Sequence, residues 1–150
     1  MNTFYQELNQ DRFFNLLPED WYSGLSISWN SISTNASIYI LKDEEKIMAG
    51  GIVFSICPPD MLYNQEDAEK WLSSGYQYIG YLWVVEEFRN MKIGSEWLKA
   101  LSKKYPLQKF WLTIEEESLK SFYIKNGFRL VKSLKNGKTT EWLMVYEPQA

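Results

Sequence analysis

Residues 78–85 read YIGYLWVV, a run with apolar side chains at odd and even positions alike. Side chains of a strand alternate between its two faces, so a run without a polar member belongs to a strand covered on both sides. A chain built around it needs a packed layer above and below a central strand. Gly80, inside the run, marks a bulge or a point of close approach. The following residues, VVEEFRNMKIGSEWL (84–98), pass from strand to helix within a few positions. Ile93, Trp97, Ala100 and Leu101 then fall on one helical face, Lys103 and Lys104 suit a helix C-terminus, and Pro106 ends the pattern.

A strand feeding directly into a helix gathers unpaired backbone N–H groups at one point, where the positive end of the helix dipole adds to them. Such a corner binds phosphate oxygens. Arg89 supplies a fixed charge beside it. Gly94 lets a ligand approach the first helical turn, and equally lets the helix pack close to the sheet.

The rest of the chain supplies the layers. Phe4, Leu8, Phe13, Leu16 and Leu17 lie at mostly helical spacing up to Pro18, which predicts an N-terminal amphipathic helix over 3–17 followed by a polar Ser/Asn stretch. SIYILKDEE and KIMAGGIVFSI read as a hairpin about Asp43, Glu44 and Glu45. Residues 57–77 read as an insertion carrying a short helix around Ala68, Trp71 and Leu72, closed by Gly75. KFWLTIEE is a strand, SLKSFYIKN a short helix capped by Gly127, and FRLVKSL and EWLMVYE are strands about Asn136-Gly137. The order implies a mixed sheet with helices packed on it, in a single domain over 1–150.

Composition removes whole classes of chemistry. The chain has no histidine and one cysteine, Cys57, which excludes disulfides, Cys/His zinc sites and a histidine base. A net charge of -3, without a basic block, argues against nucleic acid as partner. The N-terminus lacks the pattern of a signal peptide and no long apolar window follows, so a soluble cytoplasmic protein without a membrane partner is expected. Asn35-Ala36-Ser37 fits a glycosylation sequon and reads as a polar loop.

Two short motifs carry a resemblance. RNMKIG, Arg89 to Gly94, resembles the R/Q-x-x-G-x-G/A signature of the GNAT superfamily of N-acetyltransferases. FYIKNGF, Phe122 to Phe128, resembles that family's aromatic-Tyr pair followed by a Gly-Phe corner. The element order is similar from about residue 37 to 147. The resemblance implies a mixed, mostly antiparallel central sheet with helices on both faces. It also implies acetyl-CoA as co-substrate, with no metal, and an amine acceptor receiving the acetyl group by direct transfer in a ternary complex. The pantetheine arm would pair with the strand end at Leu82, Trp83, Val84 and Val85. The pyrophosphate would rest on the N–H groups of Arg89, Asn90, Met91, Lys92, Ile93, Gly94 and Ser95. Three positions depart from the family pattern: Lys92 stands at its first glycine, Glu86 at a frequent proline, and Glu116 at an asparagine near the pantetheine. Lys92 is expected to keep helical dihedrals and point outward.

In similar proteins the tyrosine at the position of Tyr123 protonates the departing thiolate, a role open to any hydroxyl held near the sulfur. The base that deprotonates the amine is Glu86, Glu87, Glu115, Glu116 or a water chain leading to one of them, with Glu116, at its strand end, the candidate. Trp71, Tyr76, Tyr78, Tyr81 and Trp83 form a candidate aromatic acceptor wall, suited to cationic or ring-bearing amines. The same aromatics also serve as core. The expected assembly is a monomer or homodimer. The alternatives are a catalytically silent CoA-binding or partner-binding module on this fold, and an aromatic-rich binder without cofactor.

Overall fold

A computed structural model describes residues 2–149. They form a seven-stranded sheet from β1 (Asn2–Glu7), β2 (Ala36–Asp43), β3 (Lys46–Phe54), β4 (Tyr76–Val84), β5 (Lys109–Ile114), β6 (Phe128–Asn136) and β7 (Thr139–Tyr146). The strand order is β1-β2-β3-β4-β5-β7-β6, and every neighbouring pair is antiparallel except β4–β5. That exception follows from the helix between those strands, because a crossover returns the chain to the same end of the sheet. The helices are α1 (Asp11–Phe14), α2 (Glu19–Ile32), α3 (Gln65–Ser73), α4 (Ile93–Lys104) and α5 (Leu119–Lys125).

Two adjacent glycines show that both faces are covered. A Cβ on Gly50 would lie 2.5 Å from the Phe13 ring, and one on Gly51 would lie 2.7 Å from Trp97. Neighbouring strand residues point to opposite faces. Phe13 of α1 therefore covers one face of β3 and Trp97 of α4 the other, each seated where a side chain is missing. The mixed, mostly antiparallel sheet with helices on both faces is as the sequence implied.

The N-terminus is a correction. Residues 3–17 are not one helix: Phe4 belongs to β1, in register with Leu41 of β2, and only Asp11–Phe14 is α-helical. The apparent helical spacing joined a strand to a separate turn. Phe4 gains more as a sheet residue, stacked on Tyr39 at 5.5 Å and edge-on to Trp97 at 5.9 Å, while Leu8 is 85% exposed between the elements. Pro18 precedes a helix as well as ending a pattern, since the supposed polar stretch is α2. Trp21, Leu25, Trp29 and Ile32 make its inward stripe, with Leu25 fully buried and Trp29 edge-on to Phe14 at 5.1 Å.

Residues 57–77 are structural rather than peripheral. They hold a 3-10 turn over Pro59–Asn64 and then α3, and Met61 and Ala68 are fully buried. Among the described residues no helix is long and apolar enough to cross a membrane.

Candidate active site

The sheet opens along β4. Pairing between β4 and β5 runs only from Tyr76↔Lys109 to Tyr78↔Trp111. Beyond that point β4 stays with β3 up to Val84, and β5 stays with β7 up to Ile114, so the two strands part as a fork. A bulge in β4 deepens the parting: the register slips between Gly50↔Trp83 and Ile52↔Gly80, and Tyr81 takes a left-handed φ of 59°. Gly80 is thus the close-approach point and Tyr81 the bulge.

On the α4 side of this fork lies a cleft of about 970 Å³. Its walls include Leu82 and Val84 from β4, Arg89, Asn90, Lys92, Ile93, Gly94 and Ser95 from the corner, and Phe122, Tyr123 and Asn126 at α5. Lys99 and Lys125 also line it, so four basic residues, Arg89 and Lys92 among them, border it against one acidic one, Glu96. Glu96 already accepts a hydrogen bond from Asn2 at 2.7 Å. The cleft therefore favours anions although the chain as a whole is acidic.

Local backbone shapes the corner. Asn90 and Lys92 have φ of 65° and 63°, and Lys92 is the residue from which α4 departs. The expectation that Lys92 keeps helical dihedrals is overturned, since its left-handed conformation is the one for which glycine is the natural occupant. No side chain caps α4, and its first backbone hydrogen bond, from Glu96 N–H to the Lys92 carbonyl, spans 3.0 Å. The N–H groups of the first turn are left for a ligand. Gly94 serves packing directly: a Cβ there would lie 2.9 Å from Phe122 Cζ. Asn126 ties the two helices together, donating to Ser95 Oγ at 3.1 Å and to the Phe122 carbonyl at 2.8 Å. Replacing Lys92 by glycine should raise stability by about 1 kcal/mol, the left-handed strain of ~1–3 kcal/mol being offset by glycine's greater freedom when unfolded. Urea denaturation measures this. An unchanged or lowered midpoint would contradict the strained backbone.

Arg89 acts on the strand end. Its Nε donates to the Val84 carbonyl at 3.0 Å while its guanidinium lies 4.6 Å from the centre of the Trp83 ring. Tyr123, only 8% exposed, is held edge-on between Phe122 and Phe128, at 4.9 and 5.4 Å. Burial pushes its hydroxyl up to about 12, which keeps it protonated and able to donate at neutral pH.

Four of the expected site residues do not line the cleft. Trp83 turns to the opposite face, edge-on to Trp21 at 5.4 Å. The Val85 N–H is committed to the Met48 carbonyl at 2.8 Å, and Met91 is an exposed turn residue. Glu116 is exposed in the loop after β5, where its carbonyl accepts the Leu119 N–H at 3.0 Å. The expected aromatic wall is divided: Trp71 packs on Tyr76, Tyr78 packs on Trp111, and Tyr81 and Trp83 pack on Trp21. Lys99, Lys125 and Asn126 were not anticipated. Lys125 and Asn126 stand inside the FYIKNGF motif, which was the available signal.

The Acetyltransferase (GNAT) family model matches residues 1–128. The fold is similar to a crystal structure described as histone acetyltransferase HPA2 and related acetyltransferase from Corynebacterium glutamicum, at TM-score 0.70 and 12% identity over 99% of this chain and 97% of that one. It is similar to the ribosomal-protein-S18-alanine N-acetyltransferase from Escherichia coli, at TM-score 0.69 and 13% identity over 100% and 96%. A Bacillus subtilis acetyltransferase in complex with CoA gives TM-score 0.68 and 13% identity over 99% and 100%. Comparison with curated proteins finds no match. The sheet that forks beside an uncapped helix and the family match over most of the sequence agree: this chain belongs to the GNAT acetyltransferase family.

Proposed function

We propose that the protein is one acetyltransferase domain that moves the acetyl group of acetyl-CoA to a primary amine, on a small molecule or a peptide, by direct transfer in a ternary complex. The observation that carries this reading is the cleft itself, where basic residues and an uncapped helix N-terminus meet a protonated tyrosine. The diphosphate of CoA would lie on the first turn of α4 with Lys92, Lys99 and Lys125 around it. The pantetheine would follow the free edge of β4 at Leu82 and Val84, which has no β5 partner. The thioester supplies the activated acyl group and the protein supplies orientation. Tyr123 then donates its proton to the departing thiolate.

The experiment is a thermal-shift titration. Acetyl-CoA should raise the melting temperature, since a ligand that binds only the native state stabilises it by mass action. Gly94→Glu should abolish the shift, because the new side chain displaces Phe122 and brings negative charge to the phosphate corner. A folded Gly94→Glu variant with unchanged CoA affinity would place the site elsewhere. Thiol release with polyamines, aminoglycosides and N-terminal peptides then tests turnover. An enzyme that acetylates acidic acceptors while all of these stay inert would contradict the amine class.

A further inference from the structure

On the sheet face away from α4, a second constellation occupies the same fork. Tyr78 is the last β4 residue paired to β5, and a Cβ on Gly80 would lie 2.8 Å from its ring. The ring therefore leans over Gly80 towards the opening. The Tyr78 hydroxyl donates to Asp60 Oδ2 at 3.2 Å and lies 3.2 Å from Thr113 Oγ1. Thr113 belongs to β5 beyond the last β4 pair, so these hydroxyls bridge the space where backbone pairing has stopped.

Asp60 comes from the 3-10 turn over Pro59–Asn64. Asp60 is a solvent-exposed residue whose carboxylate accepts the Tyr78 hydroxyl at the mouth of the fork. Partial desolvation raises the carboxyl to about 6, with lesser pushes from Glu141 and Glu115, while hydrogen bonds from its own backbone N–H and from Tyr78 pull it down. Solvent contact tempers the rise without reversing it. The groups around it are Tyr78 and Tyr81 from β4, Glu115 after β5, Glu141 from β7, and Tyr63 and Cys57 on its own segment. Glu141 is engaged, accepting from the Tyr63 hydroxyl at 2.8 Å.

The β4 bulge lies between this constellation and the cleft. Leu82 lines the cleft, whereas Tyr81, one residue earlier, lies edge-on to Trp21 of α2 at 5.6 Å and within electrostatic reach of Asp60. One peptide bond separates the two sides. Trp21 and Tyr81 give this side of the fork an aromatic flank, which attracts cations, and Asp60 gives it a carboxylate. We propose that Asp60 is the proton acceptor of the reaction, binding a cationic amine with an apolar or aromatic body against Trp21 and Tyr81. The inference rests on the transferase reading above.

The protons balance as follows. Asp60 removes one proton from the ammonium, and the freed lone pair forms the C–N bond to the thioester carbonyl carbon. Collapse breaks the C–S bond, and the thiolate takes its proton from Tyr123. The remaining excess N–H proton restores the Tyr123 hydroxyl through water, and Asp60 releases its own to solvent. The sum is one amide, one thiol and one proton.

The test uses 2-phenylethylamine as probe acceptor, in single-turnover acetylation across pH 5–9, with CoA affinity measured in parallel. Wild type should gain rate with pH as Asp60 ionises. Asp60→Asn should be slower by about 100-fold or more, lack that limb, and keep its CoA affinity, which also reports that it folds. Tyr78→Phe should shift the acid limb to higher pH, because it removes one of the two hydrogen bonds that hold the Asp60 carboxyl down. An Asp60→Asn rate within about threefold of wild type, or an acid limb that survives the substitution, would overturn the assignment. Wild type that binds CoA yet neither binds nor acetylates 2-phenylethylamine would overturn the acceptor class. Failure to bind CoA at all would instead overturn the transferase reading beneath it.

Discussion

Trp97→Ala should destabilise the protein by about 3–5 kcal/mol, the range for emptying a large aromatic site in a core. Trp97 is fully buried against the bare backbone of Gly51, lies edge-on to Phe4, and donates its Nε1–H to the Tyr39 carbonyl at 3.0 Å. One side chain thereby joins α4 to β1, β2 and β3. Gly51, facing it, has no side chain to help fill the void. For a chain of this length the loss corresponds to roughly 6–20 °C in melting temperature, a large share of a total stability of about 5–15 kcal/mol. Calorimetry measures it directly. A shift below about 3 °C would mean that α4 is held mainly by other contacts.

Tyr123→Phe is expected to leave the fold and CoA affinity nearly intact and to slow acetyl transfer by about 100-fold to 10,000-fold, the contribution of a positioned general acid. The ring keeps its packing on Phe122 and Phe128, and only the hydroxyl is lost. The pH dependence follows from burial. Because the hydroxyl is raised to about 12, its acid form persists through the neutral and mildly alkaline range, and deprotonation of Tyr123 should impose no loss below about pH 11. Product release can conceal a chemical step in kcat, so single-turnover rates are the proper measure. A variant as fast as wild type in that step would return Tyr123 to a packing role.

The parts of this molecule that were legible in the sequence are those whose pattern has one physical solution. An apolar run such as YIGYLWVV has to be a strand covered on both sides, and Ile93, Trp97 and Leu101 have to share a helix face. The N-terminus failed because Phe4, Leu8 and Phe13 sit at helical spacing by coincidence, and register with β2 decides the matter in favour of a strand. Helix α2 was hidden by its serines and asparagine, although the Trp21, Leu25, Trp29 and Ile32 stripe was present. Of the residues the motifs picked out, Arg89, Asn90, Lys92, Ile93, Gly94, Ser95 and Tyr123 line the cleft, because the chemistry of those motifs is local. Lys92 shows the limit of that approach: a motif fixes a position, while its φ of 63° is known only from the folded backbone. Asp60 had no local signal, since its meaning arises from a tyrosine and a threonine brought beside it by two different strands.

CoA is proposed to lie in the cleft between the β4 edge and the first turns of α4 and α5. Titrating isotopically labelled protein with CoA and following backbone amide resonances tests it most directly. Saturable shifts are expected at Leu82, Val84, Asn90 to Ser95, Lys125 and Asn126, with the largest at the N–H groups of Ile93, Gly94 and Ser95. Saturable shifts confined to the opposite face, around Trp21, Asp60 and Tyr63, or no shifts at millimolar CoA, would contradict it.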